Sequence, residues 1–218
     1  MNPSIEGTSD QMPQWSELLD AVSPALEKLG VTESKRAGLV SYLTRLWAEN
    51  QRINLFSRKM TPERLIEDHL LDSLLGLSHL PRVEVVADLG TGGGFPAIPL
   101  ALCRPRTRFL LYEKSPLKCR FLESLADLQL QIEVVGPLPS DGSLPHEVDL
   151  VTARAFKPIA VILELTREYR RRNGAYMLYK ARRAKIDEEL AAVTGNSQAR
   201  IQALAPIGAA EERHLVWL

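Results

Sequence analysis

Residues 83–105 constrain this chain more than any other stretch. Val83-Glu84-Val85-Val86-Ala87-Asp88-Leu89-Gly90 is a short apolar run that ends on an acid and a glycine, the pattern of a buried parallel strand. The turn Gly90-Thr91-Gly92-Gly93-Gly94-Phe95-Pro96 follows directly, and residues 97–103 resume an apolar pattern compatible with a helix. Strand, glycine-rich loop and helix in that order form a nucleotide-binding geometry. Glycine admits positive φ and lets a ligand approach the main chain.

Two ligand classes compete for such a loop. A dinucleotide fold uses G-x-G-x-x-G, with a pyrophosphate resting on the helix N-terminus. Here Asp88 stands two residues before the first glycine, and Phe95 and Pro96 occupy the start of the helix. A carboxylate there repels pyrophosphate and attracts the cationic end of S-adenosylmethionine, which has a sulfonium and an α-amino group but no phosphate. The motif therefore favours S-adenosylmethionine over NAD. The plain alternative is a tight strand-to-helix turn without a ligand.

The flanking pattern fits one α/β unit. Strands are expected at residues 83–90, 108–113, 131–136, 148–153, 174–180, 200–206 and 214–218, with helices at 97–103, 115–130, 157–172 and 185–193 between them. Such alternation implies a mostly parallel seven-stranded sheet covered on both faces, with a closing antiparallel hairpin. Ahead of it, residues 14–29, 32–50 and 61–77 carry apolar side chains at helical spacing, the last opening on Thr61-Pro62-Glu63 as N-cap and first turn. The expected organisation is a mobile segment at 1–13, then a single domain at 14–218 with a helical cap over 14–80 and an α/β core over 81–218.

The chain has 218 residues and no net charge, yet residues 151–185 hold ten Arg or Lys against two Glu, a local +8. That asymmetry points to an anionic partner or to a solvated basic face. Cys103 and Cys119 have no ligand-like spacing, so neither a disulfide framework nor a metal site is indicated. No apolar run is long enough to span a membrane and the N-terminus is polar, so a soluble, cytoplasmic protein is expected.

Ligands in parallel sheets bind at the carboxyl ends of the strands. Asp88, Glu113, residues 136–141, Arg154 and Lys180 are thereby expected on one rim. Glu113, at the end of the second strand, can accept both hydroxyls of a ribose, or serve only as a neighbour of the helix start at Ser115-Pro116. Arg154 and Lys180 end the fourth and fifth strands, where a cation can grip a carboxylate, a phosphate or a base carbonyl, or form a surface ion pair. His69 and Asp72 share a face of the third helix at i, i+3.

At these residues the chain resembles a known family. Asn54-Leu55, His69-Leu70-Leu71-Asp72-Ser73, the loop Asp88 to Pro96 with Ala97-Ile98-Pro99-Leu100, Glu113-Lys114-Ser115-Pro116-Leu117-Lys118, Arg154-Ala155-Phe156, Lys180 and Glu212-Arg213-His214-Leu215-Val216 are similar, in order, to the GidB or RsmG family of 16S ribosomal RNA guanine-N7 methyltransferases. The resemblance implies a class I (Rossmann-like) methyltransferase that moves a methyl group from S-adenosyl-L-methionine to N7 of one guanine of 16S rRNA in the small ribosomal subunit; a monomer that does not act at a membrane is expected. The resemblance also implies cofactor contacts from Gly90, Phe95 and Arg154, with Pro139 and Ser140 at the adenine contact after the third strand, where residues 136–141 depart from the family pattern; Asp88, Gly92, Gly94 and Glu113 join this cofactor-binding set from the reading of the loop and rim above. Ala97 and Ala181 also stand where the family usually has glycine. Arg154 and Lys180, the cations on the rim, are the candidate catalytic residues, as donors to the acceptor base.

The chemistry agrees with this set. Guanine N7 has a lone pair and no proton, so methyl transfer needs positioning rather than a general base. N7 and O6 are both acceptors, which suits a Lys or Arg donor. A class I methyltransferase for a small molecule or protein and an NAD-dependent oxidoreductase are the competing readings.

Overall fold

The computed structural model describes residues 12–193, 198–205 and 212–218. Most of the segment expected to be mobile, and part of the link in the closing hairpin, lie outside those residues. Seven strands form one sheet: β1 (Val85–Leu89), β2 (Arg108–Tyr112), β3 (Ile132–Gly136), β4 (Leu150–Arg154), β5 (Ala175–Lys180), β6 (Arg200–Leu204) and β7 (Arg213–Trp217), in the order β3-β2-β1-β4-β5-β7-β6. The first five are mutually parallel, as expected from the alternation. β7 inserts antiparallel between β5 and β6, with Lys180 opposite His214 and Arg200 opposite Trp217.

The helical cap comprises α1 (Trp15–Ala21), α2 (Ser23–Lys28), α3 (Glu33–Asn50), α4 (Pro62–Leu65), a π-helical segment Ile66–Leu71 and α5 (Asp72–Leu74). The single helix expected at 14–29 is broken after Ala21. Pro24 lacks an N–H and its ring would collide with the carbonyl four residues back, so the chain restarts at Ser23. Thr61 caps α4 as its sequence position suggests, with Oγ1 accepting from the Arg64 amide at 3.3 Å. The core helices are α6 (Ala97–Cys103), α7 (Pro116–Glu123), α8 (Ile159–Leu165), α9 (Arg167–Arg171) and α10 (Arg183–Ala191). Residues 157–172 thus give two helices, because Thr166 leaves helical φ and turns its hydroxyl to Ile162 O and Tyr176 Oη.

Alternation along the strands sorts side chains onto two faces. Val86, Phe109, Leu111, Leu150, Met177 and Tyr179 join the cap helices in one apolar core with Trp15, Leu39, Leu46, Leu70 and Ile98. Val85, Ala87, Leu110, Val151, Tyr176 and Leu178 pack beneath α8, α9 and α10. The same alternation sends Asp88, Thr152, Arg154 and Arg213 toward the cap, so polar groups enter that core only at the carboxyl end of the sheet.

Candidate active site

β1 is flanked by β2 on one side and β4 on the other, so the chain changes direction across the sheet between β1 and β4, and a crevice opens at their carboxyl ends. The glycine loop fills that position. Gly90, Gly92 and Gly94 have φ of 69°, 61° and 109°. Their surroundings differ. A Cβ at Gly90 would lie 2.2 Å from the Phe156 ring, and one at Gly94 would lie 2.6 Å from Ile98; at Gly92 it meets nothing nearer than Gly90 O at 3.7 Å. Gly92 is therefore the open part of the cradle, whereas Gly90 and Gly94 admit close packing within the protein. Tyr42 of α3 fixes the loop from the cap side, donating to Gly93 O at 2.8 Å and meeting the Phe95 ring edge-on at 5.5 Å.

Asp88 is fully buried. Its Oδ1 accepts from Thr152 Oγ1 at 2.7 Å, its carbonyl accepts from Thr91 Oγ1 at 3.1 Å, and its buried Oδ2 has no hydrogen-bond donor among the described residues. Burial pushes its carboxyl up to about 6, against smaller opposing effects from Thr152, Thr91 and Arg154. Glu113 closes the other side of the cradle: Oε2 accepts from the Gly92 amide at 3.0 Å and Oε1 from the Ser115 amide at 2.8 Å. A carboxylate has about four acceptor sites, so Glu113 retains capacity for hydroxyl donors. A buried acceptor for a cation, an open glycine and a spare acceptor pair are what an amino-acid-bearing nucleoside such as S-adenosylmethionine requires, and the residues present fit it. The 136–141 turn lies beside them, since the Glu113 amide donates to Gly136 O at 2.9 Å. Pro139 O accepts from the Gly142 amide and Ser140 O from Arg167 Nη2 at 2.9 Å, so both residues offer exposed side chains at that end of the rim.

Arg154 is turned into the cap. Nε donates to Asp72 Oδ2 at 2.6 Å, Nη2 to Asp68 O, and Nη1 to His69 Nδ1 at 3.2 Å. Asp72 Oδ1 accepts from Arg213 Nε of β7, so one carboxylate joins two guanidiniums. Because a guanidinium is only a donor, His69 accepts at Nδ1 and carries its proton on Nε2. Burial, reinforced by Arg154, drives its imidazole down to about 4. The His69 ring lies 5.2 Å from Phe95, and the Arg154 guanidinium 6.0 Å from the same ring. Arg154 reaches the loop through Phe95, while its donors serve the cap.

A cavity of about 520 Å³ opens at the ends of β4, β5 and β7, lined by Arg154, Phe156, Lys180, Arg182, Glu189 and Arg213 among others. Phe156 belongs to both regions, its ring against Gly90 and its side in the cavity wall. Ala155, at φ of 51°, makes the sharp turn that brings it there. Lys180 donates to Glu189 Oε2 at 2.6 Å and to Lys157 O at 3.1 Å. It thus fastens the turn after β4 to α10.

The basic segment does not form one patch. Arg154, Lys157, Lys180, Arg182 and Lys185 line the cavity at the carboxyl rim, whereas α9 ends at Arg171 and the chain enters the amino end of β5 at Ala175. Arg171 pairs with Glu168, and Arg172 donates to Leu144 O at 2.9 Å near the amino end of β4. Sequence reading missed Tyr42 and Glu189. Tyr42 is one apolar position among many in an amphipathic helix, and Glu189 sits in an Asp187-Glu188-Glu189 run that reads as a solvated face.

The sheet order with its antiparallel β7, and the glycine cradle between Asp88 and Glu113, define a class I S-adenosylmethionine-dependent methyltransferase. In fold the chain is similar to the O-methyltransferase from Bacillus cereus in complex with SAH (TM-score 0.58, 16% identity, covering 95% of this chain and 98% of that one) and to a putative O-methyltransferase from Klebsiella pneumoniae (TM-score 0.57, 16% identity, 94% and 98%). The model of the GidB family, described as rRNA small subunit methyltransferase G, matches residues 35–216. Ribosomal RNA small subunit methyltransferase G 1 of Bdellovibrio bacteriovorus is 38% identical, covering 92% of this chain and 98% of its own length, and the enzyme of that name without the numeral from Methylobacillus flagellatus is 34% identical over 83% and 86%. The chain belongs to the GidB family of small-subunit rRNA methyltransferases.

Proposed function

We propose that this enzyme transfers the methyl group of S-adenosylmethionine to N7 of one guanine in 16S ribosomal RNA, working as a cytoplasmic monomer on the small ribosomal subunit. When bound, S-adenosylmethionine supplies an electrophilic methyl group. Asp88, Gly92 and Glu113 are the residues that would hold it, through its ammonium, its backbone approach and its ribose in turn; Gly90, Gly94, Phe95 and Arg154 keep the loop in shape. Pro139 and Ser140 would flank the adenine.

The observation that carries the reading is the cavity beside the cradle. Its wall is cationic, as an RNA acceptor requires. Its carboxylates face cations, Asp72 two guanidiniums and Glu189 Lys180 on Oε2. An acceptor atom that carries no proton, such as guanine N7, asks nothing more of them than orientation. Lys180 acts there by holding the turn 155–158 against α10.

The test is transfer of labelled methyl to unmodified small-subunit particles, followed by borohydride and aniline, which cleave RNA at 7-methylguanosine. A single labelled strand break is the expected result. Label on a ribose, an exocyclic amine or a protein would reject the assignment.

A further inference from the structure

Two carboxylates stand in the cavity wall, and they are engaged differently. Asp72 has one guanidinium on each oxygen. Glu189 takes both of its donors on one oxygen, Lys180 Nζ at 2.6 Å and the Ile159 amide at 2.9 Å reaching Oε2. Among the described residues no donor is hydrogen-bonded to its Oε1. The Glu189 side chain is 11% exposed, and ties to β5 and to the start of α8 hold its orientation.

An acceptor oxygen fixed among cations repels phosphate and suits a base edge that carries donors. Guanine presents two adjacent donors, N1–H and the 2-amine, whereas adenine presents an acceptor at N1 and no amine at C2. A base drawn out of its stack is read through this edge. N7 lies on the other side of the purine, so a guanine with N1 and the amine on Glu189 directs N7 away from α10. β4 separates β1 from β5, which puts Gly90 and Lys180 two strand spacings apart, about 10 Å. Phe156, against Gly90, occupies the interval. A purine spanning from Glu189 toward the glycine loop therefore meets the aromatic ring on its way.

We infer that Glu189 is the specificity-determining residue of the acceptor cavity, its Oε1 accepting from N1–H and the 2-amine of the target guanine. This rests on the guanine-N7 reading above. Binding of guanosine and inosine 5′-monophosphates, measured by calorimetry, isolates the 2-amine, the group in which the two bases differ. The wild type should prefer the guanosine nucleotide by about tenfold or more, the worth of one hydrogen bond to a charged group. Glu189→Ala should bring that ratio to about one while S-adenosylmethionine affinity is kept. Lys180→Met, which breaks the ion pair but leaves the carboxylate, should weaken both nucleotides and preserve the ratio; a merely structural role for Glu189 predicts the reverse, a ratio that survives Glu189→Ala. That survival would overturn the inference, and so would a wild type that prefers neither nucleotide while still producing 7-methylguanosine in particles. A product other than 7-methylguanosine would instead reject the functional reading, so the two failures are told apart by the strand-break assay.

Discussion

Replacing Asp88 by Asn should make the protein more stable and less able to bind its cofactor. The carboxyl is wholly buried and rises from its ordinary 3.8 to about 6, chiefly through burial. The folded protein therefore holds that proton more tightly than the unfolded chain does. The stabilising contribution of the protonated acid is complete below its ordinary value and is lost as pH rises through 6. At pH 7 the ionised group costs roughly 3 kcal/mol relative to a neutral isostere, at about 1.4 kcal/mol per unit, and at pH 5 about half of that. For a chain of this size, Asn should raise the melting temperature by about 6–12 °C at pH 7, with a smaller gain at pH 5. On the functional reading above, the same ionisation would meet the cofactor's ammonium at Oδ2. Calorimetry should find S-adenosylmethionine binding by the wild type about tenfold weaker at pH 5 than at pH 7, because a group titrating near 6 is then about nine-tenths protonated. Asp88→Asn should bind weakly with no such slope. A variant that melts lower than the wild type at pH 7, or a wild-type affinity flat across this range, would refute the reasoning.

Gly92→Ala, with no atom nearer than 3.7 Å to the new Cβ, should keep the fold at a cost of about 1–2 kcal/mol for its left-handed backbone and lower cofactor affinity by calorimetry; Gly90→Ala should additionally shift the near-ultraviolet signal of Phe156, which its Cβ would strike. Asp72→Ala leaves two largely buried guanidiniums unpaired and should cost about 3–5 kcal/mol in denaturant unfolding. Charge reversal at Arg182 should weaken particle binding and reduce its salt slope by roughly 0.7–0.9 for each phosphate that is no longer neutralised, whereas reversal at Arg171, on the opposite end of the sheet, should leave the slope in filter binding unchanged.

The sequence by itself determined the seven strands and the ligand rim. A run such as residues 83–90 is largely apolar because both faces of a central parallel strand are covered, and the glycines that follow are legible because glycine adopts the left-handed backbone at 90, 92 and 94 without the cost a side chain incurs there. Parallel strands share one carboxyl edge, so the alternation of strands and helices already places Asp88, Glu113, Arg154 and Lys180 along it. Which way each side chain faces, and what it meets, depends on residues far apart in the chain. Arg154 and Asp72 are 82 positions apart, and Lys180 needed α10 to return Glu189 to it. The +8 segment reads as one basic tract because charge is counted along the chain, yet α8, α9 and β5 carry its halves to opposite ends of the sheet. Local periodicity follows from backbone geometry and is written residue by residue; the pairing of buried charges follows from desolvation, which exists only once the tertiary core has closed around them.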